Sequence, residues 1–305
     1  MKKGRGLLRN IGVAGCGLMG SGIVKNLIKK GYSVFVYDIN ETAVQKLADI
    51  GATVKADIRT MAIEVDLLIL SLPSPTLIET LMIDSEQGAF SVLKKGTSIL
   101  DMSTNDVNLT RRLSDIAKLY ELDYFDCPLS GGPEGANEGT LTIMVGGSKD
   151  KYPKVLPVLE TVGEKIEYVG PSGAGQVVKL CNNMIVGGII SLLSEAFLTG
   201  ERAGVSKQKL ASIIQKGSGQ TKVMEVFGAN LLENTPEEVK FSLFNMKKDL
   251  TLYRNLAEDR GVPTVASESA RQIFQIAEYL QKGPQDSTAV YDIISQLAVE
   301  GKSQM

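Results

Sequence analysis

Three groups of residues in this sequence have types and spacings suited to chemistry. Gly15-Cys16-Gly17-Leu18-Met19-Gly20 is a G-x-G-x-x-G turn entered from the apolar run Ile11 to Ala14, with Asp38 about 20 residues further on. In that setting Gly15 permits a tight turn, Gly17 lets the backbone approach a pyrophosphate, and Gly20 lets the following helix lie close on the strand. Phosphates would sit at the helix N-terminus, where N–H groups and the dipole favour negative charge. Asp38 can bond the adenine ribose hydroxyls and repel a 2′-phosphate. No arginine stands at Ile39-Asn40 to meet such a phosphate, so NAD is expected ahead of NADP. The second group, Ser130-Gly131-Gly132, lies in a glycine-rich stretch and offers a hydroxyl with successive unobstructed N–H groups. Such a cradle suits a carboxylate, and as a loop it would serve equally as a plain connection. The third is Lys179 with Asn183 four residues later on the same helix face. A lysine in such apolar company either snorkels to solvent or is used. Burial disfavours its charge and moves its pKa toward the range of an acid–base catalyst. Lys248 beside Asp249 reads locally as a solvated ion pair.

The 305 residues include no histidine, which excludes histidine-dependent hydride transfer, serine triads and His-ligated zinc. Acid–base work must then fall to Lys, Tyr, Asp, Glu or Cys. A hydrophobic content of 43% with 22% charge suits a soluble globular protein of two domains. The net charge of −2 gives no electrostatic reason to expect nucleic acid or an anionic membrane as partner. Three cysteines, Cys16, Cys127 and Cys181, are too scattered for a disulfide framework or a metal cluster, so a reducing, cytoplasmic setting and no metal are expected. Lys2, Lys3, Arg5 and Arg9 precede Val13-Ala14-Gly15-Cys16, which imitates a lipoprotein cleavage site. The apolar core is too short for a signal peptide, and cleavage would destroy the glycine turn, so the residues before Asn10 read as a basic tail.

The elements that must position these groups read as alternating strands and helices. After the helix holding Ile23, Val24, Leu27 and Ile28 come strands at Ser33 to Tyr37, Val65 to Leu72, Thr97 to Asp101, Tyr124 to Asp126, Leu141 to Val145 and Ile166 to Val169. This is the rhythm of a doubly wound sheet, whose ligands gather at the carboxyl ends of the strands. Leu72-Pro73-Ser74-Pro75 closes one such strand, with Ser74 equally suited to starting the next helix. Ser103 and Thr104 follow another, as hydroxyls for the nicotinamide end of a cofactor or as helix caps. Residues 126 to 140 read as one long turn. From Ala174 to Ala203 apolar residues occupy almost every face, predicting a helix buried all round that leaves the first domain and forms the spine of a second. Asn182, Asn183 and Glu195 argue against a membrane span. Beyond Ser206 only helical periodicity remains. The expected organisation is α/β: a Rossmann-type doubly wound sheet domain, residues 1–172, joined by the long helix to an all-α domain, residues 173–305.

Taken together the motifs resemble the β-hydroxyacid dehydrogenases, which include 3-hydroxyisobutyrate dehydrogenase and tartronate semialdehyde reductase. The likeness runs through G-x-G-x-M-G at Gly15 to Gly20, Leu72-Pro73, the stretch Asp126 to Gly139, Gly173-Ala174-Gly175-Gln176-Val177-Val178-Lys179-Leu180-Cys181-Asn182-Asn183, and Lys248-Asp249-Leu250. It implies hydride transfer between NAD(H) and a small β-hydroxy acid or its semialdehyde, with Lys179 as general acid/base and Asn183 placing the substrate. It further implies Ser130, Gly131 and Gly132 on the substrate carboxylate, with Leu72, Pro73, Thr104 and Lys248 lining the cofactor. Members assemble into dimers or tetramers, so a homodimer or homotetramer is expected. Phe244-Asn245 and the stretch around Pro284 and Ser287 depart from the family's usual residues, which leaves the substrate open. A dinucleotide-sensing protein without turnover and an imine reductase of the same architecture are the competing readings. Decarboxylating phosphogluconate oxidation would need a larger helical domain.

Overall fold

The computed structural model describes residues 8–84, 86 and 88–298, so Lys2, Lys3 and Arg5 of the basic tail lie outside the described residues. The chain forms two compact units, Met1–Lys179 and Leu180–Met305. In the first, strands β1 (Asn10–Ala14), β2 (Ser33–Tyr37), β3 (Thr53–Val54), β4 (Leu67–Leu70), β5 (Ser98–Asp101), β6 (Asp123–Asp126), β7 (Leu129–Ser130), β8 (Leu141–Gly146) and β9 (Gly163–Gly170) make one sheet. Helices α1 (Leu18–Lys29), α2 (Glu41–Ala48), α3 (Ile58–Ala62), α4 (Pro75–Ile83), α5 (Val107–Leu119), α6 (Gly132–Glu138) and α7 (Tyr152–Val162) alternate with the strands.

The parallel part runs β3-β2-β1-β4-β5-β6, so the winding reverses between β1 and β4, the place where doubly wound sheets hold ligands. An antiparallel extension, β8 with β7, follows β6, and β9 pairs in parallel with β8. Strand β4 shows why its sequence is apolar throughout. Leu67 and Ile69 join a core with Ile23, Val24 and Leu27 of α1, while Leu68 and Leu70 join the opposite core with Ile78 of α4 and Leu113 of α5. Alternate side chains thus meet helices on both faces.

Two local expectations are corrected, and one helix is added. Strand β4 is shorter than the run Val65 to Leu72. Asp66 turns aside to accept from the Arg9 and Asn10 N–H groups, and the Leu72 N–H turns to the Ser103 hydroxyl. Helix α3, capped by Asp57 accepting from Thr60 N–H, fills a stretch with no strong period. The stretch 126 to 140 is no single turn but contains β7 and the seven-residue α6. Its glycines do separate work: Gly131 (φ 130°) and Gly132 (φ 65°) swing the chain into the helix, and Gly139 (φ 75°) ends it in the left-handed conformation.

Helix α8 (Ala174–Arg202) continues from the first unit into the second, which adds α9 (Lys207–Ile214), α10 (Lys222–Glu233), α11 (Leu243–Asp259), α12 (Val265–Tyr279), a 3-10 turn at Ser287–Ala289 and α13 (Val290–Leu297). Ser206, Thr221 and Ser242 cap α9, α10 and α11 by accepting an N–H three residues on. Ile190 and Phe197 of α8 anchor the two apolar cores of this unit. By length and composition alone α8 could cross a membrane. It is not buried all round in the single chain: Val178, Ile185 and Leu192, seven residues apart, form an exposed apolar stripe.

Candidate active site

The glycine turn joins the end of β1 to α1 within tight steric limits. A methyl on Gly15 (φ 96°) would lie 2.1 Å from the Ser71 carbonyl oxygen, and one on Gly20 would lie 1.9 Å from the Gly15 carbonyl oxygen. Gly17 is different: it is the N-cap residue of α1, and a methyl there would have no heavy atom within 4 Å. The helix end carries no side-chain cap and no acidic residue in its first turn. Its first residues are Leu18, two-thirds exposed, and Met19, which packs partly against the core. Asp38 accepts from the Cys16 N–H at 2.6 Å and from the Asn40 N–H at 2.8 Å, tying the end of β2 to the glycine turn. Asn40, not Asp38, caps α2. Open space at Gly17, an uncapped positive helix end and an acid beside the turn fit a dinucleotide. Cys16 is no nucleophile here, because burial, with Asp38 nearby, pushes its thiol up to about 12.

Leu72-Pro73 and Ser103-Thr104 leave the neighbouring carboxyl ends of β4 and β5. Neither Ser103 nor Thr104 caps α5, since Asp106 does so through the Leu109 N–H at 2.8 Å. Ser103 instead accepts from the Leu72 N–H at 3.0 Å and so braces one loop on the other, leaving the half-buried Thr104 beside it. Ser74 caps α4 through the Leu77 N–H. Ser130, Gly131 and Gly132 span the junction of β7 and α6. Helix α6 lies on α1: Asn26 of α1 donates to the carbonyls of Ala136 at 2.8 Å and Asn137 at 3.1 Å. Gly22 permits that approach, since a methyl there would lie 2.6 Å from the Ala136 backbone. One helix therefore seats both the glycine turn and the Ser130–Gly132 turn.

Lys179 is buried near the start of α8, and Asn183 is buried one turn on. The first turn of α8 is held from the sheet. Asp126, at the end of β6, accepts from the Gly173 N–H at 2.8 Å and the Gln176 N–H at 3.0 Å. Burial pushes Asp126 up to about 6, against those two hydrogen bonds, which pull it down. Asp101 stands opposite Asp126 in register and accepts from Asn105 Nδ2, Tyr124 Oη and the Ser103 N–H. Burial raises it too. In the second unit, Asn183 Nδ2 donates to Asp249 Oδ2 at 2.6 Å, and Lys248 Nζ lies 3.2 Å from Asp249 Oδ1. Asp249 is fully buried and Lys248 mostly so, which corrects the expectation of a solvated pair. Asp126, Gln176 and Asp249, which hold the first turn of α8 and the Asn183 amide, are not among the residues expected from the sequence. Asp101 and Asp126 carried a usable sign, an acid ending a buried strand at the ligand edge of the sheet; Asp249 carried none.

Comparison with known proteins adds to this geometry. Residues 10–170 match a family model described as the NAD binding domain of 6-phosphogluconate dehydrogenase, and residues 173–294 one described as NAD-binding of NADP-dependent 3-hydroxyisobutyrate dehydrogenase. The chain is 34% identical over 287 residues to 2-(hydroxymethyl)glutarate dehydrogenase of Eubacterium barkeri, covering 94% of this chain and 95% of that one. It is 32% identical over 275 residues to the NAD-dependent L-serine dehydrogenase of Pseudomonas aeruginosa, covering 88% and 92%. Among solved structures, 3-hydroxyisobutyrate dehydrogenase of Mycobacterium tuberculosis with L-serine matches with a TM-score of 0.86 at 28% identity, over 94% of this chain and 99% of that one.

Proposed function

Because the chain belongs to the β-hydroxyacid dehydrogenase family, we propose that it oxidises a small β-hydroxy acid, or reduces the corresponding semialdehyde, with NAD as coenzyme and Lys179 as general acid/base. The observation that carries this reading is a buried Lys179, one helical turn from a buried Asn183, in a chain without histidine. The relatives' substrates share one pattern: 3-hydroxyisobutyrate, L-serine and 2-(hydroxymethyl)glutarate are all HOCH2–CHR–COO−, differing in R. The proposed substrate has that pattern.

A nicotinamide dinucleotide, when bound, supplies the hydride acceptor. Gly15, Gly17, Leu18, Met19 and Gly20 would hold its pyrophosphate, Asp38 its adenine ribose, and Leu72, Pro73 and Thr104 would line its path. Lys248 at the cofactor is carried by resemblance alone. Preference for NAD rests on Asp38 followed by Ile39, which is 89% exposed where a cation would be needed for a 2′-phosphate. As the substrate's β-carbon is oxidised, the amine of Lys179 takes the proton of its hydroxyl and returns it in the reverse direction. Asn183, its amide oriented by Asp249, bonds the same hydroxyl, and Ser130, Gly131 and Gly132 take the carboxylate.

The test is a panel of HOCH2–CHR–COO− acids with varied R, each with its methyl ester, assayed for reduction of NAD and of NADP. Turnover of at least one free acid, little turnover of its ester and a higher kcat/KM with NAD are expected. Binding of NAD without turnover of any acid or semialdehyde would favour a sensing protein and overturn the proposal.

A further inference from the structure

The polar groups beneath α8 form a connected brace whose centre is Gln176. Its side chain is fully buried and grips the loop after β5 at two points: Oε1 accepts from the Asn105 N–H at 3.0 Å, and Nε2 donates to the Ser103 carbonyl at 2.9 Å. Its own N–H goes to Asp126. That carboxylate is confined: a methyl at Gly146 would lie 2.6 Å from both of its oxygens, and one at Gly175 would lie 2.8 Å from Oδ2. Ser103 carries the connection onward to the Leu72 N–H, and Asp101 holds Ser103 and Asn105 from below. The buried amide of Gln176 thus joins three things: the end of β6, the loop carrying Thr104, and the helical turn carrying Lys179 three residues later.

We infer that Gln176 is a positioning residue that fixes the first turn of α8, and with it the Lys179 amine, on the loop following β5. The inference rests on the reading of Lys179 given above. A helix start held by one carboxylate alone can pivot about it. A side-chain amide bonded in both directions to a separate backbone segment removes that freedom. Displacement of about 1 Å in a reacting group is enough to lower a rate roughly a hundredfold, so the brace acts on turnover without touching substrate or cofactor.

Gln176→Met keeps the length of the side chain and removes both hydrogen bonds. The folded variant should show kcat lowered about ten- to a hundredfold. Its NAD dissociation constant should change by a smaller factor than kcat, since the glycine turn and Asp38 are untouched and only the loop carrying Thr104 loses its brace. Because Gln176 acts through Lys179, the two substitutions should not multiply: in a Lys179→Met background, adding Gln176→Met should change the residual rate less than about twofold. A loss of stability alone would move the melting temperature and leave this cycle additive. If Gln176→Met does not fold, Gln176→Asn carries the test, keeping an amide but falling one methylene short of Asn105 and Ser103, with kcat expected to fall in the same way. A kcat within twofold of the parent's, or effects that multiply in the double variant, would overturn the inference while an inactive Lys179→Met left the reading of Lys179 intact. A Lys179→Met protein of normal turnover would remove that reading, and this inference with it.

Discussion

At the scale of the residue, the weight falls on Lys179. With histidine absent, its amine is the group proposed to exchange a proton with the substrate hydroxyl. Lys179→Met retains the apolar stem that fills the site and removes the acceptor. The variant should fold and bind NAD normally while kcat falls by about two to four orders of magnitude; turnover within a few-fold of the parent's would reassign the role. That Lys179 and Asn183 share a helix was legible because a four-residue spacing is local. The residues that hold them were not. Gln176 finds Ser103 across 73 positions and Asn183 finds Asp249 across 66, and no periodicity in the chain encodes such pairings. Lys248-Asp249 was misjudged for the same reason: a surface pair and a buried one have the same two letters.

Among the elements, β1, α1 and β2 were readable from sequence because strand, glycine turn, helix and acid constrain one another within a short span. Gly17 provides a test of what that unit is for. A methyl at Gly17 meets nothing within 4 Å, whereas one at Gly20 would overlap the Gly15 carbonyl oxygen. Gly17→Ala should therefore leave the melting temperature within about 2 °C, a shift of well under 1 kcal/mol, and weaken NAD binding about tenfold or more. Gly20→Ala should lose stability as well. Calorimetric titration with NAD beside thermal unfolding separates the two, and unaltered affinity in Gly17→Ala would contradict a pyrophosphate at this turn. The stretch containing β7 and α6 was misread because its four glycines look like loop composition; Gly131 and Gly132 make the turn, Gly139 is the C-cap, and Gly135 lies inside a helix too short to show a period. Helix α8 was read correctly in extent, but its apolar residues exceed what a single chain covers, as the stripe of Val178, Ile185 and Leu192 shows.

For the molecule as a whole, the buried acids make stability depend on pH in a particular direction. Asp126 releases its proton near 3.8 when unfolded and at about 6 when folded, so between those values the folded state binds more protons. Its contribution is full below about pH 4 and is lost as pH rises through 6, a change of about 2 to 3 kcal/mol. Urea unfolding of the parent and Asp126→Asn proteins from pH 4 to 7 should show the parent losing ground to the variant as pH rises; a constant difference would rule this out. The same acid also bears on how the chain assembles. The hydrogen bonds from Gly173 and Gln176 to Asp126 close loops of 47 and 50 residues, and β7, β8 and β9 lie inside those loops. Such distant closures follow the local turns and strand pairs that shorten them. The lysine-bearing turn is thus expected to form late in folding, and pulse-labelled hydrogen exchange should find the Gly173 and Gln176 amides protected after those of β1 and β4. On that order a newly made chain would place Lys179 only once the sheet edge beneath it is complete, and a partly folded form would lack the turn proposed to carry proton transfer.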